Sequence, residues 1–176
     1  MRDDFDKEDV LSNLAYEGRA WEVEFEDLSP AEQTFRCIWE LEGEVSNGGF
    51  AQYYFNSSGD YANRIVEDLR QIGAIETSDL VTQAHRLWPH STISPTMENR
   101  RHTLGDDGFI TDRRWDSLDA QFFEYRDNLS EKLYDYLAAY RDEVQGFDLA
   151  HETTKADRAI AICKSKTSWW KKLIGK

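Results

Sequence analysis

Cysteine, proline and glycine are scarce in this chain, and long apolar runs are missing. The 176 residues include two cysteines, three prolines and ten glycines. Cys37 and Cys163 lie far apart and form no C-x-x-C pair, which is typical of a reducing cytosol rather than of a disulfide scaffold. No apolar run approaches the roughly 18 residues that span a membrane. The acidic start MRDDFDKEDV lacks the apolar segment of a signal peptide, so we expect a cytoplasmic protein without stable membrane insertion.

The motifs of common metal, cofactor and catalytic sites are also missing. None of the four histidines has a second histidine at i+3 or i+4, and there is no H-E-x-x-H motif: His85, His90, His102 and His151. The sequence has no G-x-S-x-G nucleophile motif. The glycines of SNGGFAQYYFN match neither a phosphate-binding loop nor a dinucleotide fingerprint. We therefore expect no metal, no cofactor and no catalytic residue.

Basic residues are in short supply over most of the chain, whereas acidic residues are abundant. The sequence has 21 Lys and Arg against 34 Asp and Glu, a net charge of -13. Residues 151–176 are the exception, with seven basic and two acidic residues, so residues 1–150 carry -18. The first 44 residues alone hold fourteen acids and four bases. Such a surface repels nucleic acid and attracts basic proteins, so we expect no direct contact with nucleic acid.

Helical periodicity dominates the sequence. In SPAEQTFRCIWELEGEVSNGG, Ser29 is a candidate N-cap, Pro30 suits the first helical position and Glu32 completes a capping box. Apolar residues then recur at helical spacing, and similar segments follow up to about residue 145. We predict an all-α, mainly helical single domain, in which residues 1–150 form an acidic body and 151–176 a basic tail. The tail segment SKTSWWKKLIGK is amphipathic, and we favour its docking on the acidic body or a frayed end over membrane contact.

One segment breaks the helical pattern. AWEVEFEDL alternates apolar residues with acids: Trp21, Val23 and Phe25 against Glu22, Glu24 and Glu26. Period two is typical of a half-buried strand, so a short extended segment near residues 20–26 is one interpretation, and the end of the first helix is another. If extended, the glutamates would repeat every ~6.6–6.8 Å. That is close to two phosphate steps of ~3.4 Å each along one DNA strand.

The stretch SNGGFAQYYFNSSGD at residues 46–60 is the most distinctive in the chain. We interpret Gly48 as the end of one helix and Gly49 as the turn after it. Three aromatic residues would form the buried face of the short helix that follows: Phe50, Tyr53 and Tyr54. Asp60 would then cap the next helix.

This stretch resembles the signature of a bacterial family of unknown-function domains that includes an acidic DNA-mimic protein. Six residues carry the signature, preceded by the acidic Glu44: Asn47, Gly48, Gly49, Phe50, Gln52 and Asn56. The stretch from Leu118 to Phe123, with Leu129, Leu133 and Tyr136, is also similar, so the resemblance covers about residues 30–145. It implies a compact helical domain, often dimeric. It also implies, for the characterised mimic, carboxylates that occupy the DNA-binding surface of a transcription regulator.

We therefore expect a non-enzymatic protein-binding module, a DNA mimic that blocks a basic regulator, and a homodimer. Nine acids are predicted to form its binding face: Glu22, Glu24, Glu26, Asp27, Glu40, Glu44, Asp60, Glu67 and Asp68. They would steer the partner and then pair with its arginines and lysines. Two alternatives stay open. One is an immunity protein that neutralises a basic toxin such as a nuclease. The other is an enzyme with a polar site near Glu44, Asn47, Gln52 and Asn56.

Overall fold

The computed structural model describes residues 7–89, 92–105 and 113–156. Over these ranges the chain forms helices, turns and loops without a β-strand, and the prediction of an all-α fold is confirmed. The last described helix runs through residues 147–156, so the predicted basic tail begins within it. The remainder of that tail lies outside the described residues, as do His90 and Cys163.

Helix α2 is the central element of the fold. The α-helices are, in chain order, α1 (Lys7–Glu17), α2 (Pro30–Phe55), α3 (Ala62–Gln71), α4 (Ile75–Arg86), α5 (Met97–Leu104), α6 (Asp116–Phe122), α7 (Leu129–Ala139) and α8 (147–156). Short 3-10 helices occupy Arg19–Trp21, Phe25–Asp27, Ser57–Tyr61 and Arg141–Glu143. Helix α2 packs against α3, α5, α6 and α7, while α1 packs on α7 and α4 packs on α3 and α6.

The segment between α1 and α2 is not a strand, so the prediction of an extended stretch near residues 20–26 is wrong. It forms the 3-10 helices Arg19–Trp21 and Phe25–Asp27 instead. A lone strand needs a neighbour for its backbone groups, and the described chain offers none here. Of the three apolar residues in the alternation, Phe25 is the buried one, and its ring stacks on that of Tyr61 with 3.7 Å between the ring centres. The glutamates therefore do not form a row with a phosphate-like repeat.

Helix α2 begins as predicted, and its first segment also ends as predicted. Ser29 Oγ accepts a hydrogen bond from the Glu32 amide at 3.2 Å, and the Glu32 carboxylate accepts one from the Ser29 amide at 2.9 Å. This confirms the capping box. Regular helical geometry ends at Gly48, as predicted, because the backbone angles of Gly48 and Gly49 are not helical, and Gly49 has a positive φ of 75°. A second helical segment follows this kink and ends at Phe55, and the name α2 covers both segments.

Asp119 of α6 holds the kink in α2. The Phe50 amide donates to Asp119 Oδ1 at 2.8 Å, which gives the second half of α2 a cap from another helix. A Cβ at Gly49 would lie 2.4 Å from Asp119 Oδ2. The backbone angle and this contact together require glycine at this position. The aromatic residues after the kink are fully buried, as predicted: Phe50, Tyr53 and Tyr54.

A buried arginine fixes the end of α2. The Arg100 guanidinium donates to the carbonyls of Tyr54 and Asn56, both at 2.7 Å, and to the Asp60 carboxylate at 2.7 Å. The prediction that Asp60 caps the next helix is wrong. Asp60 lies within the 3-10 helix Ser57–Tyr61, which leads directly into α3, so its side chain is free to pair with Arg100.

We expect Gly49→Ala to lower the free energy of unfolding by about 2 kcal/mol, since it adds backbone strain at positive φ. The collision with Asp119 would add to this loss. Gly43→Ala is the matched control, because it lies in the same helix and its Cβ would meet nothing within 4 Å. That change should raise the free energy of unfolding by up to about 1 kcal/mol. Urea denaturation measures both, and equal stability of the two variants would contradict the assigned kink.

Candidate functional site

Four acids between α1 and α2 face solvent and form no salt bridge within the described chain. We call them the acidic face: Glu22, Glu24, Glu26 and Asp27. All four are exposed, and none has a salt bridge or side-chain hydrogen bond to another described residue. Many acids elsewhere are paired in the described chain: Glu40 with Arg36, Asp60 with Arg100, Asp68 with Arg64, Asp127 with Lys132 and Asp148 with Arg141. The carboxylates of the acidic face thus have no internal salt bridge to exchange for one to a partner.

The backbone beneath the acidic face is held firmly on α2 and α3. Gln33 donates from its side chain to the Phe25 carbonyl at 3.0 Å, and Arg19 donates to the Asp27 carbonyl at 2.8 Å. The guanidinium groups of Arg36 and Arg64 lie 5.8 and 5.1 Å from the centre of the Phe25 ring. These contacts satisfy two backbone carbonyls of the segment and fix its Phe25 ring, whereas its carboxylates face solvent.

An open cleft of about 440 Å³ lies beside this segment. Its lining includes two indoles, two carboxylates and two amides: Trp21, Trp39, Glu40, Glu44, Asn47 and Gln52. The Trp21 indole N–H donates to Glu40 Oε1 at 3.0 Å, which links the segment to the first half of α2. The cleft therefore brings together predicted acids of α2 and an exposed tryptophan of the preceding segment.

Glu44 joins the two halves of the kinked helix. Its Oε2 accepts hydrogen bonds from the side-chain amides of Gln52 at 2.6 Å and Asn56 at 2.9 Å. The polar residues of the enzyme hypothesis do meet here, and Asn47 lines the same cleft, although its exposed side chain forms no hydrogen bond within the described chain. The side-chain amides of Gln52 and Asn56 thus have a structural role. They bind Glu44, which lies before the kink, to the helical segment after the kink.

The other predicted face residues differ in accessibility. Glu67 is exposed on α3. Asp68 is 2% exposed, and its carboxylate accepts from Thr34 at 3.1 Å and from Arg64 at 2.8 Å, so it holds α3 against α2. Asp60 has its charge balanced by Arg100. A partner cannot reach Asp68, and it gains little from Asp60.

Burial raises the pKa of Glu40, although Arg36 and the Trp21 indole oppose this shift. Burial likewise raises the pKa of Glu42, which accepts a hydrogen bond from the Tyr125 hydroxyl. Sequence reasoning did not select Trp21 or Trp39 for the site. The sequence feature that could have indicated Trp21 is its position directly before the alternating acids.

Burial favours the neutral forms of the Cys37 thiol and the His85 imidazole. The Cys37 thiol is buried, and burial raises its pKa, which keeps it in the unreactive thiol form. Burial lowers the pKa of His85 to about 4. No group of three or more potential metal ligands occurs in the part of the chain that the structure describes. Among the described helices, none is both long and apolar enough to cross a bilayer.

Comparison with known proteins identifies one family. A family model described as DMP19-like protein matches residues 26–140, which is more than half of the chain. The match contains Glu26 and Asp27, the kink in α2 and Asp119, while Glu22 and Glu24 precede it. No curated protein and no solved structure matches the chain.

We expect Glu44→Ala to lower the free energy of unfolding by about 1–2 kcal/mol, because two partly buried amides lose their shared acceptor. Glu44→Gln retains an acceptor oxygen and should lose less than half as much. Glu98→Ala serves as the control, since Glu98 is exposed on α5 and has no described partner. Its effect should stay within about 0.5 kcal/mol. Chemical denaturation distinguishes the three, and a neutral Glu44→Ala would contradict the structural task of Glu44.

Proposed function

The chain belongs to the DMP19-like protein family, and we propose that it acts as a DNA mimic that occupies the DNA-binding surface of a basic protein. The observation that carries this proposal is the acidic face, four exposed carboxylates that form no salt bridge within the described chain. The net charge of -13 adds a long-range field of the same sign. We further propose that the protein works in the cytoplasm, as its cysteine usage suggests, and that it forms a homodimer, as the resemblance implies.

The uncompensated charge is what makes this segment suited to a basic partner. A carboxylate that already has an internal salt bridge must give up that bond or share it before it pairs with a new cation. The acidic face has no such bond to give up, so its carboxylates are available to an approaching cation. Electrostatic complementarity of this kind raises the association rate and selects partners by charge. Screening by salt should weaken it.

The mimicry proposed here depends on local charge density rather than on a regular repeat. Lysine and arginine side chains that contact DNA phosphates fix the position of a protein on the duplex. Exposed carboxylates on the two 3-10 turns can engage the same side chains, because both groups are oxygen acceptors with negative charge. Occupation of those side chains would exclude DNA. Such pairing does not require the carboxylates to repeat at the spacing of DNA phosphates, and the two turns do not give them that spacing.

We expect neutralisation of the acidic face to abolish capture of the partner. The variant carries Glu22→Gln, Glu24→Gln, Glu26→Gln and Asp27→Asn. The control carries the same number of amide substitutions at exposed acids elsewhere: Glu76→Gln, Asp79→Asn, Glu98→Gln and Asp142→Asn. Immobilised wild-type and control proteins should retain a DNA-binding protein from a lysate of the source cells at about 50 mM salt and release it at about 500 mM.

The face variant should retain at least about tenfold less of that protein, because the attractive field and the pairing groups are both lost. Captured proteins are identified by mass spectrometry and then tested separately for DNA binding. Equal capture by the face variant and the control would contradict the assigned surface. Retention of a toxin nuclease in place of a regulator would favour the immunity hypothesis.

A further inference from the structure

The cleft beside the acidic face has the features of a receptor for one cationic side chain. It is open to solvent, has a volume of about 440 Å³ and is lined by two carboxylates of α2 and two tryptophans. Glu40 and Glu44 are four residues apart, so their side chains extend from the same face of the helix. Like charges at this spacing repel, and a cation between them would relieve that repulsion.

Each of the two carboxylates is anchored through a single oxygen. Glu40 Oε1 accepts from the Trp21 indole at 3.0 Å and from Arg36 Nε at 3.2 Å. Glu44 Oε2 accepts from both signature amides, those of Gln52 and Asn56. Within the described chain, Glu40 Oε2 and Glu44 Oε1 accept no hydrogen bond. The site therefore holds two fixed carboxylates, each with one acceptor left for a ligand.

The tryptophans give the cleft rigid aromatic walls. Trp21 packs edge-on against the buried Phe35 ring at 5.6 Å, and Trp39 lies 5.9 Å from the same ring. The Trp21 indole is further fixed by its hydrogen bond to Glu40. A side chain that combines a flat cationic group with several donors can stack on an indole and donate to carboxylates at once.

The two carboxylates of the cleft differ in their internal partners. Arg36 is the cation that pairs with Glu40 in the described chain, and Glu44 is held by neutral amides. Burial raises the pKa of Glu40 in spite of Arg36, which means that its negative charge is incompletely stabilised. An additional cation from a partner would stabilise this negative charge.

We propose that this cleft binds the guanidinium group of an arginine from the basic partner. The group would stack on an indole and donate to Glu40 Oε2 and Glu44 Oε1. Arginine fits better than lysine because its planar fork has donors for both oxygens and a flat face for the ring. This inference rests on the proposed function for the source of the arginine, and it adds to the acidic face a second contact that selects one side chain.

The test is a titration of the full chain with N-acetyl-arginine amide, followed by NMR through the indole N–H resonance of Trp21. Trp21→Phe assigns that resonance. N-acetyl-lysine amide and N-acetyl-citrulline amide are the comparison ligands, all at one ionic strength. We expect a saturable shift with the arginine compound, about fivefold weaker binding of the lysine compound and no saturable shift with uncharged citrulline. Equal binding of all three, or of arginine and lysine, would overturn the assignment.

Two isosteric variants locate the ligand. Glu40→Gln and Glu44→Gln retain an acceptor for their internal hydrogen bonds, so the fold should persist, and thermal unfolding checks this. Each should weaken binding of the arginine compound at least about fivefold, because one charge-assisted hydrogen bond is lost. Glu98→Gln, far from the cleft in sequence and exposed on α5, should bind like the wild type. Unchanged binding in the two cleft variants would place the ligand elsewhere and reject the proposal.

The outcome for the cleft can be separated from the outcome for the proposed function. If the arginine compound binds in the cleft but no DNA-binding protein is captured, the receptor stands and the DNA-mimic proposal fails. If a DNA-binding protein is captured through the acidic face while the cleft variants bind it with unchanged affinity, the proposed function stands and the receptor is rejected.

Discussion

The hydrogen bond from the Phe50 amide to Asp119 is the interaction on which the rest of this structure depends. It stabilises a break in α2 that the positive φ of Gly49 makes sterically possible. In an unbroken helix, residues 44 and 56 would be about 18 Å apart along the axis, too far for one carboxylate to reach. At the kink, Glu44 instead bonds the amides of Gln52 and Asn56. The same break directs the aromatic residues after it into the core.

The acidic residues of the described chain have different structural roles. Some are buried and join helices, as Asp68 joins α3 to α2. Others balance a buried cation, as Asp60 does for Arg100. The acidic face, Glu22 to Asp27, does neither, because the contacts below it satisfy its backbone and leave its carboxylates without partners. These carboxylates are therefore the ones we propose to pair with the arginines and lysines of a partner.

Local signals in the sequence predicted the fold well, and long-range contacts explain where the predictions failed. The Ser29 capping box and the buried aromatic residues were predicted because they depend on neighbours within a few positions. The strand prediction failed because Phe25 packs on Tyr61, 36 positions away in the sequence. The prediction that Asp60 caps a helix failed because its pairing with Arg100 spans 40 positions. The walls of the cleft likewise depend on tertiary packing that no short motif encodes.

Displacement of DNA tests the central claim most directly. A fluorescent duplex is bound to the captured partner, and the protein is titrated in while anisotropy reports the bound fraction. The account predicts complete release of the duplex by the wild type and at least about tenfold more protein for release by the variant with a neutralised acidic face. Formation of a ternary complex that keeps the duplex bound, or equal release by the two proteins, would contradict it.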